Sequence, residues 1–464
     1  MSSTPRPGLA PAERLDPHVA HDAHDPDAPE FDAGGPNRPL RVLFVSPYVP
    51  SQIRIRPYHW IKHLAASGHS VSLHAIGGRG DEAAVEEMRR LCAHVSVFPL
   101  PPWRPIVNGL RALVDRDPFQ RAWSRLPAMS AALRRAVSSG AFDVAHVEHL
   151  RGSCFADDLR PLPVVYDAVD SISLLFEQTA RLAPALHQRL LARLDVGRTS
   201  RFEATVLDRF RVVLLSSPVD AIRFRELAGR ADAADGRLAV VSNPVDLRHF
   251  TPPNDTLPAA ESSSAGRPAI VMPAAESSTV LPAAPPSVVF FGKMSYHANA
   301  AAALALVRDV MPRVWRQRPD VRVQIVGQHP GRDVRALASD ARVTVTGFVP
   351  DVQPWIAGAT LAVFPMRYGV GVQNKVLEAL AAGVPVVVAR SATAGLRAVP
   401  GRDLVAAEGS DECADAVLRL LGAPAERSAL ARRGREYVER FHDPRMIGRE
   451  LEAIYRRAVA DRPV

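Results

Sequence analysis

The sequence predicts an α/β protein built from two doubly wound parallel-sheet domains that face each other across a cleft. Three observations lead there. Short β-branched and apolar runs alternate with helix-length segments along most of the chain. The alternation breaks once, in a Pro/Ala/Ser-rich stretch, and then resumes. In the second half a buried run (Leu361 to Phe364) feeds a glycine-containing loop that opens a helix, an arrangement that presents backbone N–H groups to an anion.

The elements follow in order. Residues 1–39 are rich in Pro, Asp, Ala and His and lack the apolar core of a secretory signal, so they read as a disordered tail in which His18, His21 and His24 bind nothing. Strand runs begin at Arg41–Ser46 and continue at Ser70–Ile76, His94–Phe98, Asp143–Val147, Val164–Asp167, Val212–Ser216 and Leu238–Ser242, giving a first domain over 40–250. A long Arg/Leu-rich helical stretch runs from about Ala185 to Phe210. Residues 251–286 repeat Pro-Ala-Ala-Glu-Ser-Ser at Pro258 and Pro273 and form a low-complexity linker. Strands resume at Ser287–Gly292, Val321–Gly327, Arg342–Thr346, Leu361–Phe364 and Val384–Ala389, with a weaker one near Leu404, in a second domain over 287–440. Helical segments at about Asp411–Glu439 and Pro444–Val459 close the chain, and the segment 441–464 is expected to cross back to the first domain.

Composition sets the outer bounds. The 464 residues suffice for two cores, and 47% apolar with 23% charged residues is ordinary for a globular protein. The formal net charge of +8, mostly arginine, suits phosphorylated substrates or an anionic membrane surface, and reads equally as the mark of an Arg/Ala/Pro-rich proteome. Nucleic acid is not an expected partner. Cys92, Cys154 and Cys413 have neither metal nor disulfide spacing, which points to a reducing cytoplasm. No window reaches the ~18 apolar residues of a membrane span. Repeated arginines with Trp123, Leu126 and Leu133 between Arg111 and Arg135 read either as a face for anionic lipid or as an ordinary amphipathic helix.

Ligands of open α/β sheets bind beyond the carboxyl ends of the strands. Four such loops should converge in the second domain: Gly292-Lys293 through Asn299, Gly327-Gln328, Gly347-Phe348, and Pro365 through Gly369-Val370-Gly371 to Asn374-Lys375. They bring Lys293, Arg367 and Lys375 around one point, a match to a diphosphate. Glu378 lies one turn beyond Lys375 on the same helix face, where a carboxylate suits a ribose diol. No GxGxxG, Walker lysine motif or Asp-x-Asp metal loop is present, so no nicotinamide, metal or other cofactor is expected.

These motifs resemble the GT-B-fold glycosyltransferases of the retaining family 4 type, most closely the sugar transferases associated with exosortase and exopolysaccharide systems. The resemblance rests on the segments 290–299, 345–349 and 369–387, with Gly68-His-Ser-Val71 and Asn243-Pro-Val-Asp246 in support. It implies two Rossmann-like domains, a nucleotide-sugar donor, and a glycan or lipid-linked acceptor; with the cysteines and the Arg111–Arg135 stretch, the expected place is the cytoplasm, either free or peripheral at the inner face of the cell membrane. It implies Glu378 on the ribose, Lys293 on the diphosphate, Phe348 touching the base through its backbone, and Gly369 and Gly371 admitting the sugar. Asn299 stands near the family's second phosphate lysine, and Val370 where the family often has a first glutamate. His146 fits the slot of a catalytic-region histidine after the fourth strand, where a lone histidine is also commonly structural. Asp167 and Asp170 at a strand end either orient an acceptor or cap a helix. Arg54 and Arg56 in the first loop would face a donor phosphate or a phosphorylated acceptor. Two rival readings share the architecture: a sugar-nucleotide epimerase, and a non-catalytic nucleotide-sugar-binding assembly protein.

Overall fold

A computed structural model describes residues 38–183, 185–230, 236–253 and 285–460. Nearly all of the expected tail, including its three histidines, and nearly all of the expected linker lie outside these residues.

The first lobe holds β1 (Arg41–Ser46), β2 (Ser70–Ile76), β3 (His94–Phe98), β4 (Val144–Glu148), β5 (Val164–Val169), β6 (Val212–Leu215) and β7 (Leu238–Val240). They form one sheet in the order β3-β2-β1-β4-β5-β6-β7, every described pairing parallel. The second lobe holds β8 (Ser287–Phe291), β9 (Arg322–Val326), β10 (Val343–Gly347), β11 (Leu361–Phe364), β12 (Val386–Ala389) and β13 (Val405–Ala407), parallel in the order β10-β9-β8-β11-β12-β13. Both sheets are the expected doubly wound kind, and each reverses direction once, between β1 and β4 and between β8 and β11. Strands covered by helices on both faces read as continuous apolar runs, and the central strands Val42–Val45 and Leu361–Phe364 are entirely inaccessible.

The closing helices differ in detail from the sequence reading. Pro424, which lacks an N–H, starts a new helix (Pro424–Phe441) directly after Gly409–Gly422, so the expected single segment is two. The last helix, Pro444–Ala460, buries Ile447, Leu451, Ile454 and Tyr455 in the core of the first lobe beside Trp60 and Leu64. The last described helix therefore packs against the first lobe.

Glycines let neighbouring strand ends meet at the carboxyl edge of the second sheet. Gly292 and Gly327 have φ of 146° and 147°, and a Cβ on Gly327 would stand 1.9 Å from the Gly292 carbonyl oxygen. Gly327→Ala is therefore expected to destabilise the second lobe by about 3 kcal/mol or more, read as a lower urea midpoint. Gly331→Ala, with open space around it, should leave the midpoint unchanged.

Candidate active site

The helix Asn374–Ala381 begins at the carboxyl edge of the second sheet and carries the two residues singled out in the sequence. Lys375 is 9% exposed. Its Nζ donates to Asn299 Oδ1, lies 3.6 Å from Met366 Sδ, and sits 5.5 Å from the centre of the Phe290 ring. Burial pulls its pKa down to about 8, opposed by the neighbouring Glu378. Glu378 is half-buried and accepts no side-chain hydrogen bond among the described residues. Burial pushes its carboxyl up to about 7, against the pull of Lys375. An accessible but unsatisfied acid beside a buried cation is what a ligand carrying both hydroxyls and negative charge would complete.

Lys293 is exposed on the adjoining loop, which is tied down where Met294 N donates to the Gln328 carbonyl at 3.0 Å. Asn299 is only 6% exposed, and both ends of its amide are engaged: Nδ2 donates to the Lys293 carbonyl at 3.0 Å, and Oδ1 accepts from Lys375. It therefore links the Lys293 loop to Lys375 and is not itself turned toward a ligand. Arg367 departs from expectation too. It is 60% exposed and donates to Asp309 at 2.7 Å, so its charge is already matched outside the Lys375 cluster. Phe348 is 69% exposed, directly after the carboxyl end of β10. One aromatic pair was missed in the sequence: His297 Nδ1 and the Tyr368 hydroxyl are 2.7 Å apart, with the rings stacked.

The glycine loop meets the first lobe. Gly369 N donates to Gln178 Oε1 at 2.9 Å, and Val372 N to Ser216 Oγ at 3.3 Å. Gly371, at φ 67°, leaves no room for a Cβ beside the Asp170 carboxylate. Asn243 Nδ2 donates to Asn374 Oδ1 at 2.8 Å. In this arrangement Gly369 and Gly371 admit first-lobe side chains. A cleft remains between the loop and Leu174, Gln178, Ser217 and Asp220. Burial raises the Asp170 carboxyl to about 7, with the Asp220 charge adding to the shift. Two carboxyls at this point repel a diphosphate, so the favourable place for one is the Lys293–Lys375 side. Ser216, Ser217, Asp220 and Gln178 gave no sequence signal beyond a strand end and a helix start.

Three first-lobe expectations are corrected. His146 is wholly buried in β4, stacked on Phe44, with Nδ1 2.8 Å from the Tyr455 hydroxyl. Burial pushes its pKa down to about 3, so it is a neutral core residue shut away from any substrate. Arg56 and Asp167 are also buried: Arg56 Nε and Nη2 donate to the two Asp167 oxygens at 2.6 and 3.1 Å, and Nη1 donates to Val241 O and Asn243 Oδ1. They brace the end of β5 against the segment leading into the second lobe. His146, Glu148 and Asp167 do come within 4.8 Å of one another, but Arg56 already supplies the positive charge there. Arg54 is exposed and lies over the Tyr48 ring, 4.1 Å from its centroid.

The histidine at the carboxyl edge is instead His149. It directly follows β4 with φ of 61°, a left-handed conformation that costs a non-glycine residue energy and tends to occur at working sites. Burial pushes its pKa down to about 3, leaving a neutral imidazole.

Ionisation gives the Lys375–Glu378 pair a pH signature. A carboxyl raised to about 7 is protonated below that value and accepts hydroxyl donors fully only above it. A lysine lowered to about 8 loses its charge above that value. Affinity for an anionic ligand bearing hydroxyls, with a nucleoside diphosphate as the probe, is expected to rise toward pH 7 and fall beyond pH 8 when followed by calorimetry. Glu378→Gln should remove the acid limb, and Lys375→Gln the alkaline one.

Residues 285–423 match the protein family described as "Glycosyl transferases group 1". A curated relative from Corynebacterium glutamicum, a GDP-mannose-dependent monoacylated alpha-(1-6)-phosphatidylinositol monomannoside mannosyltransferase, is 32% identical over 161 residues. That match spans 31% of this chain and 41% of the relative. Among solved structures, sucrose-phosphate synthase from Thermosynechococcus elongatus superposes with a TM-score of 0.65 at 17% identity, covering 91% of this chain and all of the other. HepE of Anabaena, in complex with UDP and glucose, superposes with a TM-score of 0.59 at 15% identity, covering 89% and 98%. Residues 285–423 of the second lobe are thus similar to the group 1 glycosyl transferases, and the two-lobed fold is that of the GT-B proteins.

Proposed function

We propose that the chain transfers a sugar from a nucleotide-diphosphate donor to a hydroxyl acceptor with retention of anomeric configuration, in the assembly of an exopolysaccharide or another cell-surface glycan. The observation that carries the reading is the pair on the helix Asn374–Ala381: buried Lys375 and, one turn on, the half-buried, unsatisfied Glu378. The match of the same segment to the glycosyl transferase family supports it.

In this reading Glu378 accepts from the ribose hydroxyls. Lys375 and Lys293 balance the diphosphate, whose charge grows as the bond to the sugar breaks. Asn299 orients Lys375, and the Phe348 backbone borders the base. The acceptor hydroxyl enters from the first lobe, near His149 and Asp170, and its proton passes to the departing phosphate oxygen on the same face. No carboxylate pair of the glycosidase kind is needed. The contact between the glycine loop and Gln178, Ser216 and Asp170 would keep water from the donor.

The test is incubation with a panel of UDP-, GDP- and ADP-sugars and polyprenol- or glycan-linked acceptors, with the anomeric configuration of the product read by proton NMR. A product with the donor's anomeric configuration supports the reading. An inverted product overturns retention. Donor consumed to an isomerised sugar and free nucleotide, with or without acceptor, supports an epimerase instead.

A further inference from the structure

Two helices of the first lobe are amphipathic in the reverse of the usual sense. Arg104–Asp115 buries Pro105, Asn108 and Ala112, yet its outer face carries Ile106, Leu110, Leu113 and Val114, each more than half exposed. These positions recur at i, i+4, i+7 and i+8, one continuous stripe. Leu186–Glu203 likewise buries Ala192, Asp195 and Phe202 while presenting Leu186, Leu190, Leu191 and Leu194 outward, each about half exposed or more. The short helix Phe119–Trp123 joins the two. Asn108 Nδ2 donates to the Trp123 carbonyl at 3.2 Å, and Phe119 N donates to Asp195 at 3.0 Å. Trp103 and Trp123 stand at the margins, 56% and 49% exposed.

The charge around these stripes has one sign. Arg111, Arg116, Arg193 and Arg201 are exposed and have no ion-pair partner among the described residues. The acids nearby are spoken for: Asp115 pairs with Arg125, while Asp195 and Glu203 are buried and hydrogen-bonded. Two copies of this face brought together would oppose arginine to arginine. An anionic surface with an apolar interior satisfies both features, and tryptophans at the margin suit the headgroup level.

We infer that the face formed by the helices Arg104–Asp115 and Leu186–Glu203 docks on an anionic lipid bilayer, with its leucine stripes entering the acyl boundary and its arginines meeting the headgroups. This corrects the stretch singled out in the sequence. Of Trp123, Leu126 and Leu133, only Trp123 belongs to the face, since Leu126 and Leu133 are buried. Among the described residues no helix is long and apolar enough to cross a membrane, so the contact is one of lying on the surface. The inference stands independently of the proposed sugar transfer.

Flotation of the full chain with vesicles tests it. Wild type is expected to float with vesicles of equal parts phosphatidylglycerol and phosphatidylcholine, less so in high salt, and to stay at the bottom with phosphatidylcholine alone. Leu110→Asp/Leu113→Asp and Leu190→Asp/Leu194→Asp should each lower the vesicle-bound fraction about tenfold or more. Being surface changes, they should leave the melting temperature and the turnover of donor with a water-soluble acceptor unchanged. Wild type that ignores anionic vesicles, or variants that float as wild type does, overturn the inference. So does a wild-type dimer that the aspartates convert to monomer with no change in flotation, because the face would then be a self-association surface.

Discussion

Replacing Glu378 with Ala is expected to lower kcat/KM for the nucleotide-sugar by about 100-fold or more while leaving the fold intact. A carboxylate accepting two ribose hydroxyls makes two charge-assisted hydrogen bonds, each ~1.5–3 kcal/mol. Their loss, at about 1.4 kcal/mol per decade, accounts for that factor. The stability effect runs the other way. The Glu378 carboxyl titrates near 7 in the folded chain, above the ordinary glutamate value, so ionising it costs the native state and stability falls as pH rises from about 4.5 through 7. Above pH 7 the alanine variant should therefore unfold at the same temperature as wild type or higher, and below pH 4.5 no such advantage should remain. A binding residue held at a stability cost behaves this way, whereas a structural glutamate would lose stability and activity together. Scanning calorimetry at pH 4 and pH 8, alongside donor kinetics, separates the two.

The second large effect is expected at Arg56. Its guanidinium is bonded to both oxygens of buried Asp167 and to the segment 241–243, and it lies over the Trp60 ring. Arg56→Met would strand an unpaired carboxylate beside Glu148, a cost of about 3–5 kcal/mol. The Asp167 carboxyl is already raised to about 6, chiefly by burial, with Arg56 holding it down, so removing Arg56 pushes it higher still. The sign follows: the variant's deficit should be largest at pH 8 and shrink as the pH falls and Asp167 takes up a proton. Combining Arg56→Met with Asp167→Leu should recover part of the loss at pH 8, because the stranded Asp167 carboxylate is gone while buried Glu148 keeps only its Tyr48 hydrogen bond. Urea unfolding of wild type and the two variants at pH 5 and pH 8 measures all three quantities. Nucleotide affinity should also fall in the single variant, since Arg56 holds Asn243, which in turn holds Asn374 at the start of the donor-side helix.

The fold was legible because its signal is local. Each buried strand is a contiguous apolar run, although the break that Pro424 makes between the helices Gly409–Gly422 and Pro424–Phe441 was missed. The Lys375–Glu378 pair was legible for the same reason: spacing along one helix decides which side chains share a face. The first-lobe side of the site was not. His146 and His149 lie three residues apart in the sequence, and nothing local says that His146 points into the core. That is settled by Tyr455, on a helix that returns to the first lobe after more than three hundred residues. Arg56 looked like a cleft residue because it follows the first strand's loop, and Asp167 because it lies near a strand end, but their pairing joins positions 111 residues apart. Arg367 was expected to be free, and Asp309 takes it up. Asn299 was placed among the substrate-binding residues, near the family's second phosphate lysine, and it is engaged in holding Lys375. In each case the sequence supplied a charged or polar group at the right edge of a sheet, and a distant partner decided whether it stayed available.

The central claim is that Glu378 holds the ribose of a nucleoside diphosphate while Lys375 and Lys293 hold its phosphates. A crystal structure of the full chain with a nucleoside diphosphate tests it most directly. The account predicts density at the carboxyl edge of the second sheet, with both ribose hydroxyls within hydrogen-bond distance of the Glu378 carboxylate and the diphosphate against Lys375. Nucleotide bound elsewhere, or seated in this cleft with its ribose turned away from Glu378, would contradict it.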